Sequence, residues 1–301
     1  MKHILPALAF GLSCATLAVS VRADDVPAQV QALVAKQSPS VVTVRAVLKI
    51  SSKEAGAQNS ESRTEMQGVV VDPSGLIMVS SLPFSVNKLM EMMGAPPDAM
   101  SDAPTITPSD FKVVFSNEDT EYPAFLAATD TTLGLTFLKI GDLKGRTLTA
   151  VTFGTAPAPA LGESVFALTR LGKGYDYAPA YESAHVTGII TKPRAAMMLD
   201  GGISEVGLPV FSANGDALGV LTTVPSGIKA DSSSAGMMSM LTGLLGGRNA
   251  AQGSLFLVPG SAISPVIAEA QTRAAALAAQ HAATPAAPPV TPAPPVTAPA
   301  K

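Results

Sequence analysis

Eleven short runs rich in Val, Ile, Leu and Phe recur between residues 40 and 259, each closing on a turn signal. They read "SVVTVRAVLKI", "QGVVVD", "LIMVSS", "FKVVFS", "YPAFLAATD", "LTFLKI", "SVFALT", "HVTGII", "LPVFS", "ALGVLTT" and "SLFLVP". Between them stand pieces such as "DPSG", "SNEDTE" and "SANGD", whose Gly, Pro, Asn and Asp suit the backbone angles of tight turns. Many short strands at this spacing predict an all-β sandwich or barrel and not alternating βα units.

Helical signals flank this β body. In "DDVPAQVQALVAKQSPS", Asp24 and Asp25 can cap a short helix that Pro39 stops. In "SAISPVIAEAQTRAAALAAQ", Ser264 suits an N-cap, Pro265 the first helical position, and the alanines favour continuation. Two longer pieces, 85 to 110 and 225 to 253, interrupt the strands and carry clustered methionines. Loops of that length are usually functional or disordered.

The chain opens with Lys2 and His3, an apolar run from Ile4 to Val21, and small residues ending at Ala23. This layout predicts a secretory signal peptide over 1–23, with the mature chain starting at Asp24. A retained membrane anchor is the competing reading, and a run of roughly 17 residues lies at the short limit for crossing a bilayer. Cys14, the one cysteine, sits inside that segment, so disulfides, a thiol nucleophile and a cysteine metal site are not expected. Lipid modification of Cys14 is disfavoured by Gly11, which stands where a lipobox normally has Leu. No other apolar run is long enough to span a membrane, and the expected location is the periplasm or outside the cell. Residues 284–301 are Pro- and Ala-rich and predict an extended, disordered tail that acts as a spacer. With 20 basic and 23 acidic residues there is no basic stripe, and nucleic-acid binding is not expected.

The order of segments adds a second line of inference. "KQSPSVVTVRA" leads into "GVVVDPSGLIMVSSLPF", which follows the pattern G-V-I-I-D-x-x-G-x-I-L-T-N-x-H-V. "FKVVFSNEDTEYPAFLAATDTTLGLTFLKI" follows a strand, then D-G-x-x-Y-P-A, then D-x-x-x-D-L-A-V-L-K. "ALGESVFALTRLG", "HVTGIIT", "GLPVFSANGDALGV" and "SLFLVPGSAISPVI" continue in the same order to about residue 275. As a collinear set these resemble the HtrA-like (Deg) trypsin-fold serine proteases of the bacterial envelope. The resemblance implies a chymotrypsin-type double β-barrel, with a helical segment over 24–38, a first barrel over 39–143 and a second over 144–262. A helix over 263–283 would close the fold before the tail. Relatives frequently carry PDZ domains after the protease unit, and no such domain is expected here.

Placed on that pattern, the histidine of T-N-x-H-V falls on Leu82, the aspartate of D-L-A-V-L-K on Gly134, and the serine of G-N-S-G-G-P on Val206. Acyl transfer by a triad needs an attacking hydroxyl, an imidazole to take its proton, and a carboxylate to orient that imidazole. Valine, leucine and glycine supply none of these groups. An intact oxyanion hole alone would leave only roughly 10³ to 10⁴ over water. The loop that would form it is degenerate too: Ser204 and Leu208 replace glycines of the pattern, Glu205 lies between Ser204 and Val206, and Gly207 alone is kept. The resemblance therefore implies a pseudoprotease without a cofactor. Its expected partners are envelope proteins, extended peptide segments, or an active protease relative.

Other readings stay open at this stage. A weak or unconventional serine endopeptidase would need a relocated site, and Ser80, Ser81 and Ser204 lie near the old one. The mature chain has two histidines, His185 and His281, neither in the half that normally supplies the base. Met90, Met92 and Met93, with Met237, Met238 and Met240, are weak candidates for thioether binding of Cu(I). Clustered methionines more often make adaptable apolar contacts, and no histidine or cysteine stands near either group.

Overall fold

The computed structural model describes residues 25–283 apart from 52–58, 88–89, 91–102, 117, 119, 155, 193 and 224–254. Helix α1 (Asp25–Gln37) buries Val30 and Leu33, three residues apart on one face. It ends in a 3-10 turn, Ser38–Ser40, with Pro39 at its start. The Ser40 hydroxyl donates to the Gln37 carbonyl at 2.6 Å, which ties off the helix end.

Two closed antiparallel barrels follow. The first is built from β1 (Val41–Ser51), β2 (Ser60–Asp72), β3 (Leu76–Ser80), β4 (Thr105–Phe115), β5 (Glu121–Asp130) and β6 (Leu135–Ile140). They pair around the ring in the order β1-β2-β3-β6-β5-β4. The second is built from β7 (Ser164–Arg170), β8 (Pro179–Ile190), β9 (Ala196–Gly201), β10 (Pro209–Phe211), β11 (Ala217–Thr223) and β12 (Leu255–Pro259). Its ring runs β10-β11-β12-β9-β8-β7, so the two halves repeat one topology. Closure gives every strand of each ring two neighbours. This is the chymotrypsin-like double barrel that the resemblance implies, and it lies within the all-β sandwich or barrel class that the strand pattern predicts.

Side-chain alternation explains how three apolar layers arise from such short strands. On β3, Ile77 and Val79 point into the first barrel with Val42, Val44, Val70, Phe111 and Leu138. The other face of the same strand, Leu76 and Met78, enters a layer shared with Phe137, Phe166, Leu168, Phe211 and Val220. A strand covered on both faces reads as a continuous apolar run, as "LIMVS" does. The second barrel encloses Val165, Ala167, Val186, Met197, Val210, Leu221 and Leu257.

The barrels are also tied by a buried cation. Arg170 is 9% exposed and its guanidinium donates to three carbonyls, those of Val41 (2.6 Å), Tyr177 (3.0 Å) and Ser38. Its backbone amide donates to the Gln67 side chain at 2.8 Å, and Gln67 returns a bond to the Arg170 carbonyl at 3.0 Å. Burial lowers the Arg170 pKa, and the three carbonyl oxygens engage its Nε and both Nη atoms with one bond each. The contact thus joins the 3-10 turn after α1, and strands β1 and β2, to the second barrel.

Helix α2 (Gly260–Ala283) packs on the shared layer through Ile263, Ile267, Ala270 and Ala274. Gln271 donates to the Asp72 carboxylate at the end of β2 at 2.8 Å. The helix starts at Gly260 and not at 263, so Ser264 is not its N-cap and Pro265 lies inside it. The Ser264 hydroxyl instead donates to the carbonyls of Phe153 (2.7 Å) and Gly260 (3.0 Å). Pro265 offers no N–H to the carbonyl four residues before it, a loss confined to the second turn.

The strand pattern needs three further corrections. β9, "AMMLDG", lies outside the eleven expected runs, because two methionines and an Asp-Gly end carry little β signal. β2 begins seven residues before "QGVVVD": its polar first half forms a ribbon with β1, pairing Glu61 with Lys49 across the strands. β4 and β8 likewise begin six residues before the runs that flag them, in stretches whose exposure alternates with polar side chains.

Candidate functional site

The seam between the barrels is where loop 202–208, joining β9 to β10, meets the end of β3. Gly207 adopts φ +91°, and a Cβ built on it would lie 2.7 Å from the Ser80 amide nitrogen and 3.0 Å from the Ser80 Cα. Only a residue without a side chain allows that approach. The Gly207 amide donates to the Leu221 carbonyl at 2.8 Å, which fixes the loop to β11. Leu208, 1% exposed, continues it into the second barrel and accepts from the Leu221 amide at 3.2 Å.

On the other side of β3, the Ser81 amide donates to the Gly134 carbonyl at 2.8 Å. Gly134 sits at φ +67° in the β5–β6 turn, where the Asp130 carboxylate accepts from the Leu133 amide at 2.7 Å. Leu82 opens a 3-10 turn, Leu82–Phe84, and its amide donates to the Ser80 hydroxyl oxygen at 3.2 Å. Ser80 and Ser81 thus lie between Gly134 and Gly207. The structure brings the segments carrying Leu82, Gly134 and Val206 to one place, and Leu82 and Val206 are each half-buried there.

None of those three side chains can gain or lose a proton or attack a carbonyl. Ser80 and Ser81 are 8% and 7% exposed. His185 is exposed on β8, in register with Ser164 and Asp200. His281 lies near the end of α2. Ser204 is exposed, and its partner is a carboxylate: the Ser204 amide donates to Glu182 Oε2 at 3.0 Å, with the hydroxyl at 3.5 Å from Oε1. Glu182 comes from β8, where period-two alternation places it on the face opposite His185. His185 therefore does not share the strand face of the carboxylate that partners Ser204.

Glu182 is the residue that sequence reasoning overlooked. Its signal was a charge on the strand parity that, further along, carries Ala184 and Val186 into the barrel. Next to Ser204, Glu205 is exposed as a whole, yet its carboxyl is pushed above the usual range. Desolvation by the protein packed on its inner side is the larger cause, and the Glu182 charge adds to it. A carboxyl with a raised folded-state pKa holds its proton more tightly folded than unfolded. Its charged form then opposes folding above the folded pKa, and the cost vanishes below the unfolded one. Glu205→Gln is therefore expected to raise the thermal midpoint slightly at pH 7 and to leave it unchanged at pH 3. A scan of unfolding midpoint against pH for the two proteins checks this.

Of the methionine candidates, Met90 is half-buried just past the 3-10 turn. Met92, Met93, Met237, Met238 and Met240 lie outside the described residues. Among the described residues no group of three or more His, Cys, Asp or Glu side chains could hold a metal ion. Among the described residues, too, no helix is long and apolar enough to cross a membrane.

Two six-stranded barrels of repeated topology, meeting at a seam lined by the β3 end and the loop before β10, define a trypsin-like fold. No family model matches the chain, and no curated protein matches it. Among solved structures, the crystal structure of Deg5 is similar at 21% identity and a TM-score of 0.42. The match covers 65% of this chain and 85% of that one.

Proposed function

We propose that this chain is a catalytically inactive, HtrA-like serine protease homologue that is exported to the cell envelope and binds protein segments without cutting them. The observation that carries the reading is the occupancy of the seam. Where peptide-bond hydrolysis requires an attacking oxygen, a base and an orienting acid, Val206, Leu82 and Gly134 stand. The surrounding frame is retained, with Gly207 against Ser80 and the Ser81 amide on the Gly134 carbonyl. A frame kept without its reacting groups can still present a cleft to an extended chain, whose backbone offers donors and acceptors regardless of sequence. Envelope proteins, or the exposed segments of an active relative, are the partners this reading names, and the apolar N-terminal run supplies the export signal.

The mature chain, incubated with unfolded casein and with a fluorophosphonate probe, is expected to retain casein on a column while giving neither fragments nor labelled protein. Fragments or labelling that disappear on Ser204→Ala would overturn the reading in favour of an unconventional endopeptidase. Casein that passes through uncut and unbound would remove the binding half of it.

A further inference from the structure

We propose that the Glu182 carboxylate is an internal ligand of the Ser204 amide, closing the seat for a substrate carbonyl independently of the missing triad. The proposal deepens the reading above and rests on the register that puts Val206 at the nucleophile's position. In a triad enzyme that seat is made by two backbone N–H groups: that of the nucleophile and that of the residue two before it. Those residues are Val206 and Ser204 here. The second of the two donors is already spent, on Glu182 Oε2 at 3.0 Å.

Three features make this an arrangement of the fold and not a passing surface contact. Glu182 shares its strand parity with Ala184 and Val186, which are buried in the second barrel, so β8 aims it toward the loop. The loop is stitched to the same stretch of β8 by backbone: the Gly202 amide donates to the Ser183 carbonyl at 2.9 Å. Gly201, at φ +146°, lies so close that a Cβ there would sit 2.6 Å from the Ala184 Cα. Finally, no Lys or Arg forms an ion pair with Glu182 among the described residues, whereas Glu61, Glu65, Glu118, Glu121 and Glu269 all have one. Ser204, through its amide, is the hydrogen-bond partner of this carboxylate.

A carboxylate is a stronger acceptor than a peptide carbonyl, so a bound chain would not displace it from the amide. Any oxyanion forming at Val206 would also face a like charge beside the seat, and Glu205 adds a second. Restoring the triad side chains would therefore leave a seat with one donor fewer.

Two measurements on the mature chain test this. In Glu182→Ala and in Glu182→Gln, the Ser204 amide proton is expected to move upfield in the NMR spectrum and to exchange with solvent several-fold faster. An unmoved Ser204 amide in both variants overturns the proposal. Second, the variant Leu82→His/Gly134→Asp/Val206→Ser is compared with the same variant carrying Glu182→Ala, on an activated peptide ester. Freeing one oxyanion donor is expected to raise kcat by about 10², the lower end of what such a donor contributes. Equal rates, including two that are both undetectable, overturn the lock. Cleavage of casein by the unaltered chain would instead refute its inactivity while leaving the amide measurement to stand or fall alone.

Discussion

Replacing Gly207 by alanine is expected to cost about 3 kcal/mol of stability, against about 1 kcal/mol for the same change at Gly215. Both glycines are left-handed, at φ +91° and +81°, so both substitutions carry a similar backbone strain. They differ in surroundings. A Cβ at Gly215 meets nothing nearer than the Leu33 Cδ1 at 3.7 Å, an ordinary contact. At Gly207 it meets the Ser80 amide nitrogen at 2.7 Å and the Ser80 Cα at 3.0 Å. Those are backbone atoms of a buried strand end and cannot swing aside, so the two barrels must part or the loop must refold. Urea unfolding of the two variants, compared at unchanged m, isolates the difference. Equal losses would mean that the loop does not press on β3. The contrast gives Gly207 a structural role at the joint between the barrels, where the loop presses on the end of β3.

Much of this architecture was legible because it is local. Strand positions follow from apolar runs bounded by turn residues, and helix α1 from its acidic start and Pro39. The elements that escaped are those whose burial is supplied from elsewhere. β9 pairs with β12 through Met198 and Phe256, and no short window of sequence encodes that partner. The polar first half of β2 is extended because β1 lies beside it, not because "SESRTEM" favours a strand. The start of α2 moved for a similar reason. The Ser264 hydroxyl, a good cap in isolation, is claimed by the Phe153 carbonyl 111 residues away.

The site divides in the same way. That Leu82, Gly134 and Val206 hold no reacting group could be read from residue identity once collinear motifs were laid side by side. That the seam segments touch, through Ser81 with Gly134 and Gly207 with Ser80, is a matter of two barrels closing on each other. Glu182 lies 22 residues from Ser204, on a stretch too polar to be flagged as a strand, so neither its direction nor its partner was available. Arg170 is the extreme case: its guanidinium acceptors lie up to 132 residues away, and nothing near it in sequence hints that a cation would be buried.

Phe211→Ala should cost about 3 to 5 kcal/mol, the range for truncating a fully buried aromatic side chain. Phe211 is 0% exposed and follows Val210, which points into the second barrel. Alternation sends Phe211 the other way, into the layer where Leu135 and Phe137 of the first barrel meet Phe166 and Val220 of the second and Ile263 and Ile267 of α2. The cavity left by its ring would open where the two halves are joined, with neither half able to collapse into it alone. Phe111→Ala is the useful comparison. Phe111 is 5% exposed inside the first barrel and packs edge-to-face on Phe84, with centroids 5.9 Å apart. Its loss should be of similar size in unfolding free energy but confined to one barrel. Hydrogen exchange separates the two, because the Arg170 amide bonds across the joint to Gln67 at 2.8 Å. In Phe211→Ala that amide should exchange faster, beyond what the lowered global stability explains, whereas in Phe111→Ala it should follow global stability alone. If both variants treat the Arg170 amide alike, the shared layer does not hold the barrels together. The alignment of Leu82, Gly134 and Val206 at the seam would then depend on the loop contacts alone.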